Sequence, residues 1–219
     1  MFNTTIATQI YAKICFEATN SQKKIIENLS EYLSDDDFSR IFVLNGFAGT
    51  GKTTLIAAVV AALKELRIKP VLLAPTGRAA KVLARYCGEQ ALTIHKRIYR
   101  QRTNADYESK FSLDFNREQG AVFIVDEASM LSDSTGDGAL FGSGSLLEDL
   151  VSYVRSGRGC RLILVGDSAQ LPPVGCDFSP ALDPATVSRY GEVVYGLMDE
   201  VVRQQMQSGI LFNATLVRC

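Results

Sequence analysis

Residues 46–54 read Gly46-Phe47-Ala48-Gly49-Thr50-Gly51-Lys52-Thr53-Thr54, directly after the apolar run Ile41-Phe42-Val43-Leu44. The spacing is Gly-x-x-x-x-Gly-Lys-Thr, with an expected strand before it and an expected helix after it. In the segment that follows, Leu55, Ile56, Val59, Val60, Leu63 and Leu66 recur at steps of three and four, the period of a helix with one buried face. Glycines in such a loop let backbone N–H groups turn inward around a phosphate with no Cβ in the way. The helix N-terminus adds its partial positive charge at the same point. Lys52 is placed to reach the β- and γ-phosphates and the Thr53 hydroxyl to ligate Mg²⁺. A glycine-rich turn that merely caps a helix is the competing reading, and the full pattern with both flanks outweighs it. The stretch predicts that the chain binds a nucleoside triphosphate.

Working outward, three more β-branched, apolar runs stand out: Val71–Ala74, Ala121–Val125 and Leu162–Val165. With Ile41–Leu44 they are continuous rather than alternating, as strands buried on both faces of a parallel sheet are. Helix-patterned stretches separate them, so the expected fold is α/β, a mostly parallel sheet with helices on both faces. Ile25, Ile26, Leu29 and Leu33 mark one face of a helix over Ser21–Leu33, and a second helix over Arg78–Tyr86 is stopped by Gly88. Ser145 and Glu148 have capping-box spacing ahead of Leu146, Leu147, Leu150 and Val154. Residues 132–145 are Ser/Gly/Asp-rich with little to bury and read as a mobile loop. The polar stretch 99–120 contains one alternating piece, Lys110 to Phe115, and reads as a hairpin-like excursion off the sheet. At the start, Ile6, Ile10 and Ile14 suggest a short amphipathic helix, so residues 1–18 are expected to be a helical extension to a single domain over 19–219.

Composition narrows the class. The chain has 219 residues, 47% apolar and 21% charged, enough to bury a sizeable core. Its net charge of −1 supplies no global field toward nucleic acid or membranes, so any polyanion site must be a local patch. Residues 1–15 lack the pattern of a secretory signal, and no apolar run has the length of a membrane span, so no membrane partner is expected. The cysteines Cys15, Cys87, Cys160, Cys176 and Cys219 are odd in number, scattered and without a Cys-x-x-Cys pair. That pattern gives neither a disulfide framework nor a zinc site and points to a reducing cytoplasm. His95 is the only histidine, which excludes a metal cluster built from several histidines. No Asn-Lys-x-Asp run is present for guanine readout, which speaks against a GTPase.

Two other strand ends carry chemistry. Val122-Phe123-Ile124-Val125 runs into Asp126-Glu127-Ala128-Ser129-Met130, placing two acids at the carboxyl end of a buried strand. Phosphoryl transfer to water needs one carboxylate to hold Mg²⁺ and one group to orient the attacking water, and adjacent Asp126 and Glu127 can divide those roles. Leu162–Val165 leads into Gly166-Asp167-Ser168-Ala169-Gln170-Leu171-Pro172-Pro173-Val174-Gly175. There Gln170 could donate an amide N–H to the γ-phosphate, while Pro172 and Pro173 forbid a helix.

Together these motifs resemble the superfamily 1 DNA helicases of the RecD-like branch, the exodeoxyribonuclease V alpha-subunit type. The resemblance rests on residues 46–53, Ala74-Pro75-Thr76-Gly77-Arg78-Ala79-Ala80, Thr93-Ile94-His95-Lys96, Asp126 to Met130, Gly166 to Gly175 and Val201-Val202-Arg203-Gln204, in that order. It covers about residues 19–219. It implies a RecA-like P-loop domain using ATP and Mg²⁺ to drive translocation on single-stranded DNA in recombination or repair, alone or with other subunits of a nuclease complex. It implies further that Lys52 and Thr53 bind phosphate and metal, Asp126 holds the metal, Glu127 activates water, and Gln170 and Arg203 contact the γ-phosphate. Gln22 matches the family's adenine-reading glutamine. The family closes its ATP site with a second RecA-like domain, which this sequence has no length to build after Val201. An excised motor domain and a naturally short protein both explain that, and the first is preferred. A nucleotide-switched DNA-binding module without motor activity is the alternative function.

On the DNA side, residues 95–102 read His-Lys-Arg-Ile-Tyr-Arg-Gln-Arg, the densest basic stretch, and Arg78, Lys81 and Arg85 add to it. Tyr99 offers a ring on which an unpaired base could stack. A solvated basic helix face accounts for the same charges. By resemblance, Pro75, Thr76, Gly77, Arg78, Thr93, His95, Lys96 and Tyr99 line the DNA track, and a structural role for His95 stands beside that reading.

Overall fold

The computed structural model describes residues 2–103, 109–133, 141–200 and 202. In chain order the elements are α1 (Phe2–Lys13), α2 (Asn20–Ser34), β1 (Ile41–Gly46), α3 (Lys52–Glu65), β2 (Pro70–Ala74), α4 (Gly77–Cys87), β3 (Ala91–Thr93) and α5 (Ile94–Ile98). There follow β4 (Tyr99–Thr103), β5 (Ser109–Leu113), β6 (Val122–Val125), α6 (Leu146–Ser156), β7 (Arg161–Gly166), α7 (Pro184–Val187) and β8 (Val193–Met198). Six strands form one parallel sheet in the order β3-β2-β6-β7-β1-β8. This is the RecA-like α/β P-loop architecture expected from the sequence.

The two-residue period of a strand divides the apolar side chains between two cores. Phe42, Leu44, Leu72, Ile124, Ile163 and Val165 pack with Ile26 and Leu29 of α2, Val59 and Leu63 of α3, and Leu83 of α4. Ile41, Val43, Leu73, Phe123, Val125 and Leu164 face the other way, onto Ile98 of α5 and Leu147, Leu150 and Val154 of α6. Burial on both faces is why these strands read as continuous apolar runs. Ile6 and Ile10 of α1 lie in the first of these cores, so the helix at 2–13 packs as part of it.

Two strands escaped the sequence reading. Strand β3 has three half-buried residues. Strand β8 is an edge: its exposed Tyr195 and Leu197 alternate with buried Gly196 and Met198, so it offers no continuous run. The excursion at 99–120 is the antiparallel pair β4–β5, in register from Tyr99↔Leu113 to Thr103↔Ser109. Residues 134–140 of the expected mobile loop lie outside the described residues. Its end at Phe141 does have something to bury, stacking on Phe111 with ring centroids 4.5 Å apart.

All six strands of the main sheet point the same way, so their carboxyl ends form one edge. Leu44 pairs with Val165, and Val125 pairs with Leu164 and Leu73. The chain leaves β1 for β2, crossing over β7 and β6. The crevice outside β1 and β7 is therefore a switch point, where open α/β sheets bind ligands.

Candidate nucleotide site

Strand β1 delivers the 46–54 loop to this crevice. Gly49 and Gly51 take φ of 79° and 86°, values that L side chains rarely adopt. A Cβ at Gly46 would come within 2.9 Å of the Met198 Cβ. Phe47, Ala48 and Gly49 form an exposed crest, and Thr50 beneath them is buried with its hydroxyl donating to the Phe47 carbonyl at 2.8 Å. Lys52 begins α3 and reaches back over the loop, donating to the Gly46 carbonyl and, at 2.9 Å, to the Phe47 carbonyl. Its Nζ is 3.9 Å from the buried Asp167 carboxylate. Burial pushes the Lys52 ammonium down, and Asp167, Asp126 and Glu127 oppose it. Thr53 and Thr54 follow in the first turn of α3, half-buried.

Strand β6 brings Asp126 and Glu127 to the same edge. The Asp126 carboxylate accepts the Glu127 N–H at 3.0 Å, and burial pushes its carboxyl above the usual range. Glu127 stands at φ 55°, ψ 38°, a left-handed conformation for a non-glycine residue, and leads into a 3₁₀ turn at Ala128–Met130. Strain of this kind persists where the surroundings hold a functional side chain in place. From β7, the amide oxygen of Gln170 accepts from the Ser129 hydroxyl at 3.3 Å. Phosphate loop, paired acids and the Asp167–Gln170 turn thus meet at the ends of three neighbouring strands. Arg203 lies outside the described residues.

Among the described residues no group of three or more His, Cys, Asp or Glu could hold a metal by itself. The donors present, the Thr53 hydroxyl and the Asp126 carboxylate, are hard oxygens. That suits Mg²⁺, which binds through one or two carboxylates plus waters and substrate phosphates. The high carboxyl pKa of a buried, cation-poor Asp126 is what an adjacent divalent ion would reverse.

Gln22 is tied down at both ends of its amide. It is fully buried in the first turn of α2, where its side-chain oxygen accepts the Thr19 N–H at 3.0 Å in a capping box. Its amide N–H₂ donates to the Thr50 carbonyl at 3.0 Å. As placed, this amide braces the phosphate loop, and a role at adenine would require it to exchange both bonds.

At the ends of β2 and β3, Ala74 pairs with Thr93, which brings Pro75-Thr76-Gly77-Arg78 beside Thr93–Lys96. Thr76 caps α4 by accepting the Ala79 N–H, and Thr93 caps α5 by accepting the Lys96 N–H, each at 3.2 Å. Thr76, Gly77, Arg78 and Lys96 are exposed, whereas His95 is half-buried and edge-on to Phe141 at 5.1 Å. Two expectations are corrected. The Tyr99 ring is 6% exposed, and its hydroxyl donates to the buried Asp149 carboxylate at 2.6 Å, so it presents no stacking face. In the basic stretch, Arg97 is paired with Glu118 and Arg100 with Asp114, which leaves less free charge than the sequence advertises.

Beside Gln170 lies an open apolar groove lined by Met130, Leu171, Pro172, Pro173 and Val174, with Leu171 89% and Val174 102% exposed. A second open groove, about 560 Å³ and lined by Phe38, Gln119, Arg158 and Arg161 among others, opens at the opposite, amino-terminal end of the strands. Two polar residues placed at this site carried no sequence signal of their own: Asp167, visible only as part of a motif, and Asn45, one residue before the loop. Among the described residues no helix is long and apolar enough to cross a membrane.

A family model described as an AAA domain matches residues 17–212. The chain is similar to the ATP-dependent RecD2 DNA helicase of Deinococcus radiodurans, 31% identical over 154 residues, spanning 70% of this chain and 19% of that protein. It is 32% identical over 201 residues to the RecBCD enzyme subunit RecD of Mycobacterium tuberculosis, spanning 74% and 32%. To the ATP-dependent DNA helicase dda of Enterobacteria phage T4 it is 34% identical over 136 residues, spanning 60% and 28%. The chain thus covers a third or less of these relatives. Among solved structures, a Bacteroides Pif1 helicase in complex with ADP-AlF3 and ssDNA has a TM-score of 0.55 at 19% identity, over 88% of this chain and 44% of that one. Pif1 helicase from Candida albicans gives 0.54 at 21% identity, over 93% and 44%. At those identities the structural likeness speaks for the fold alone.

Proposed function

The chain belongs to the AAA domain family, within it to the RecD-like superfamily 1 helicase motor domains, and from that premise we propose that it binds MgATP at the 46–54 loop, hydrolyses it, and couples turnover to single-stranded DNA. One observation carries the reading: Lys52, Thr53, Asp126, Glu127, Asp167 and Gln170 converge at the carboxyl ends of β1, β6 and β7. In it, the loop N–H groups and Lys52 hold the phosphates, and Thr53 and Asp126 hold Mg²⁺. Mg²⁺ when bound neutralises charge on the β- and γ-phosphates. Glu127, fixed by its backbone, aligns the attacking water, and Gln170 contacts the γ-phosphate. Catalysis is then positional and electrostatic, with Arg203 contributing a further positive charge. Gln22 serves the same site by holding the loop, and contacts adenine only in a rearranged state.

The exposed groove beside Gln170 supports the view that this is one wall of a two-walled site. An apolar lip around Leu171 and Val174 suits burial against a second motor domain, as the chain's short span of its relatives suggests. The exposed Thr76, Gly77, Arg78 and Lys96 at the β2 and β3 ends, with Pro75, Thr93 and His95, are the proposed DNA-facing segment. Work in recombination or repair, with the partner subunits of a nuclease complex, follows the RecD relatives.

The test is steady-state ATP turnover with and without single-stranded DNA. Lys52→Ala is expected to lose ATP binding or turnover, and Glu127→Gln to keep binding but lose turnover. Unchanged turnover by Glu127→Gln would refute the role of that carboxylate. Strand displacement by this chain alone would refute the view that a second domain is needed.

A further inference from the structure

Asn45 is the penultimate residue of β1, directly before the first glycine of the phosphate loop, and only 6% exposed. On the same face of the same strand, Ile41 and Val43 are apolar. An amide in such a place costs free energy unless its polar atoms are bonded. Here they are. Its Oδ1 accepts the Ser168 N–H at 3.0 Å, and its Nδ2 donates to the Ser168 hydroxyl and to the Tyr195 hydroxyl, each at 2.9 Å. The orientation of the amide is unambiguous, because a backbone N–H can only donate and so must face the oxygen.

These bonds join three adjacent strand ends: β7 through Ser168, β1 through Asn45 and β8 through Tyr195. Ser168 lies in the turn that carries both polar groups of β7. One residue before it, Asp167 faces Lys52 at 3.9 Å and accepts the Ala169 N–H at 2.9 Å. Two residues after it, Gln170 meets Ser129, itself two residues beyond Glu127. On the other side, the continuation of β8 holds the phosphate loop: the Met198 carbonyl accepts the Phe47 N–H at 3.2 Å, and the Val202 N–H donates to the Gly49 carbonyl at 3.1 Å.

We propose that Asn45 is a positioning residue of the ATP site, setting the Asp167–Gln170 turn at a fixed distance from the phosphate loop and from β8. The inference rests on the ATPase reading above. A side chain that only filled space would be replaceable by leucine, of similar volume. One that sets position would not be, and a misplacement of about 1 Å at a reacting centre can cost about a hundredfold in rate.

The experiment compares Asn45→Leu and Asn45→Asp with the parent chain, with Lys52→Ala as control. Leucine removes all three bonds. Aspartate keeps the acceptor for the Ser168 N–H and can accept from both hydroxyls. We expect Asn45→Leu to lower kcat about tenfold to a hundredfold with KM for ATP unchanged, the pattern of an interaction expressed in the transition state. Asn45→Asp should recover most of the rate. Wild-type kcat in Asn45→Leu overturns the proposal, as does equal impairment of both variants in step with their melting temperatures. Turnover insensitive to Lys52→Ala overturns the ATPase reading instead. Amide hydrogen exchange decides the positional claim separately. Faster exchange at residues 168–170 in Asn45→Leu but not Asn45→Asp supports it, and unchanged exchange in Asn45→Leu overturns it.

Discussion

Replacing Glu127 by glycine should give a more stable protein than replacing it by alanine, with the chemistry lost in both. Glu127 sits at φ 55°, ψ 38°, where an L residue pays for the clash between its Cβ and the following carbonyl. That conformation costs about 1–2 kcal/mol for a residue with a Cβ. Glycine escapes the clash but gives back about 0.4–1 kcal/mol through its freer unfolded chain. Taken at mid-range, the balance is a gain of about 0.8 kcal/mol over alanine at the same position. Alanine is the right reference, because both substitutions delete the carboxylate and only glycine deletes the Cβ. For a chain of this size 1 kcal/mol moves the melting temperature by about 2–4 °C, so Glu127→Gly should melt about 1–4 °C above Glu127→Ala. Differential scanning calorimetry without nucleotide reads the difference, and ATP turnover should be lost in both variants. A glycine variant that melts at or below the alanine variant would show that this conformation stores no strain, and the argument for a backbone-fixed carboxylate would fail.

Further outcomes follow from the same geometry. Gln22→Ala removes the glutamine half of the capping box, its bond to the Thr19 N–H, and leaves the Thr50 carbonyl without its amide donor. It should lower the urea midpoint and weaken ATP and GTP binding alike, whereas selective loss of ATP would restore the adenine-reading role. Among the described residues, Tyr99→Phe leaves the Asp149 carboxylate, 5% exposed, with only the Ser143 N–H as partner. It should destabilise by about 1–3 kcal/mol in denaturant titration yet leave single-stranded DNA affinity unchanged, and a large affinity loss would support a direct DNA contact. Glu118 is opposed by burial, but hydrogen bonds from Lys69 and Arg97 hold its carboxyl below the usual range. A depressed acid contributes stability that is present above its unfolded pKa, near 4.5, and lost as pH falls through the folded value. The parent chain should therefore exceed Glu118→Gln by up to about 1 kcal/mol at pH 7, and the gap should close in acid. A gap that widens below pH 4.5 would contradict the assignment.

The sequence was legible where one physical cause acts alone. Phe42, Phe123 and Ile163 belong to strands buried on both faces, so burial wrote itself into continuous apolar runs. The phosphate loop was legible because glycine at positions 49 and 51 is what φ near +80° requires. Legibility ended where partners lie far apart in the chain. Tyr99 among arginines resembles a base-stacking group until Asp149, fifty residues on, is seen to take its hydroxyl. Asn45 reads as an unremarkable strand end because its partners stand 123 and 150 residues away. Glu127 gives no local hint of positive φ, since glutamate has no preference for it. Strand β8 failed for a different reason: an edge strand buries every other residue, and its short alternation is weaker than the signal of a central strand.

The phosphate loop is held by groups inside and outside its own strand–loop–helix unit. An anion-binding loop must turn its N–H groups inward, which obliges its carbonyls to find donors elsewhere. At Gly46 and Phe47 the donor is Lys52, which reaches back from the start of α3. At Gly51 it is the Leu55 N–H in the first turn of α3. The other two come from outside the strand–loop–helix unit: Gln22 of α2 for Thr50, and Val202 beyond β8 for Gly49. A strand–loop–helix fragment would therefore carry the motif without two of the donors that shape it. Glu200 ties the two outside donors together by accepting the Ser21 N–H at 3.2 Å. The loop geometry thus depends on α2 and on Glu200 and Val202 beyond β8 as much as on its own motif.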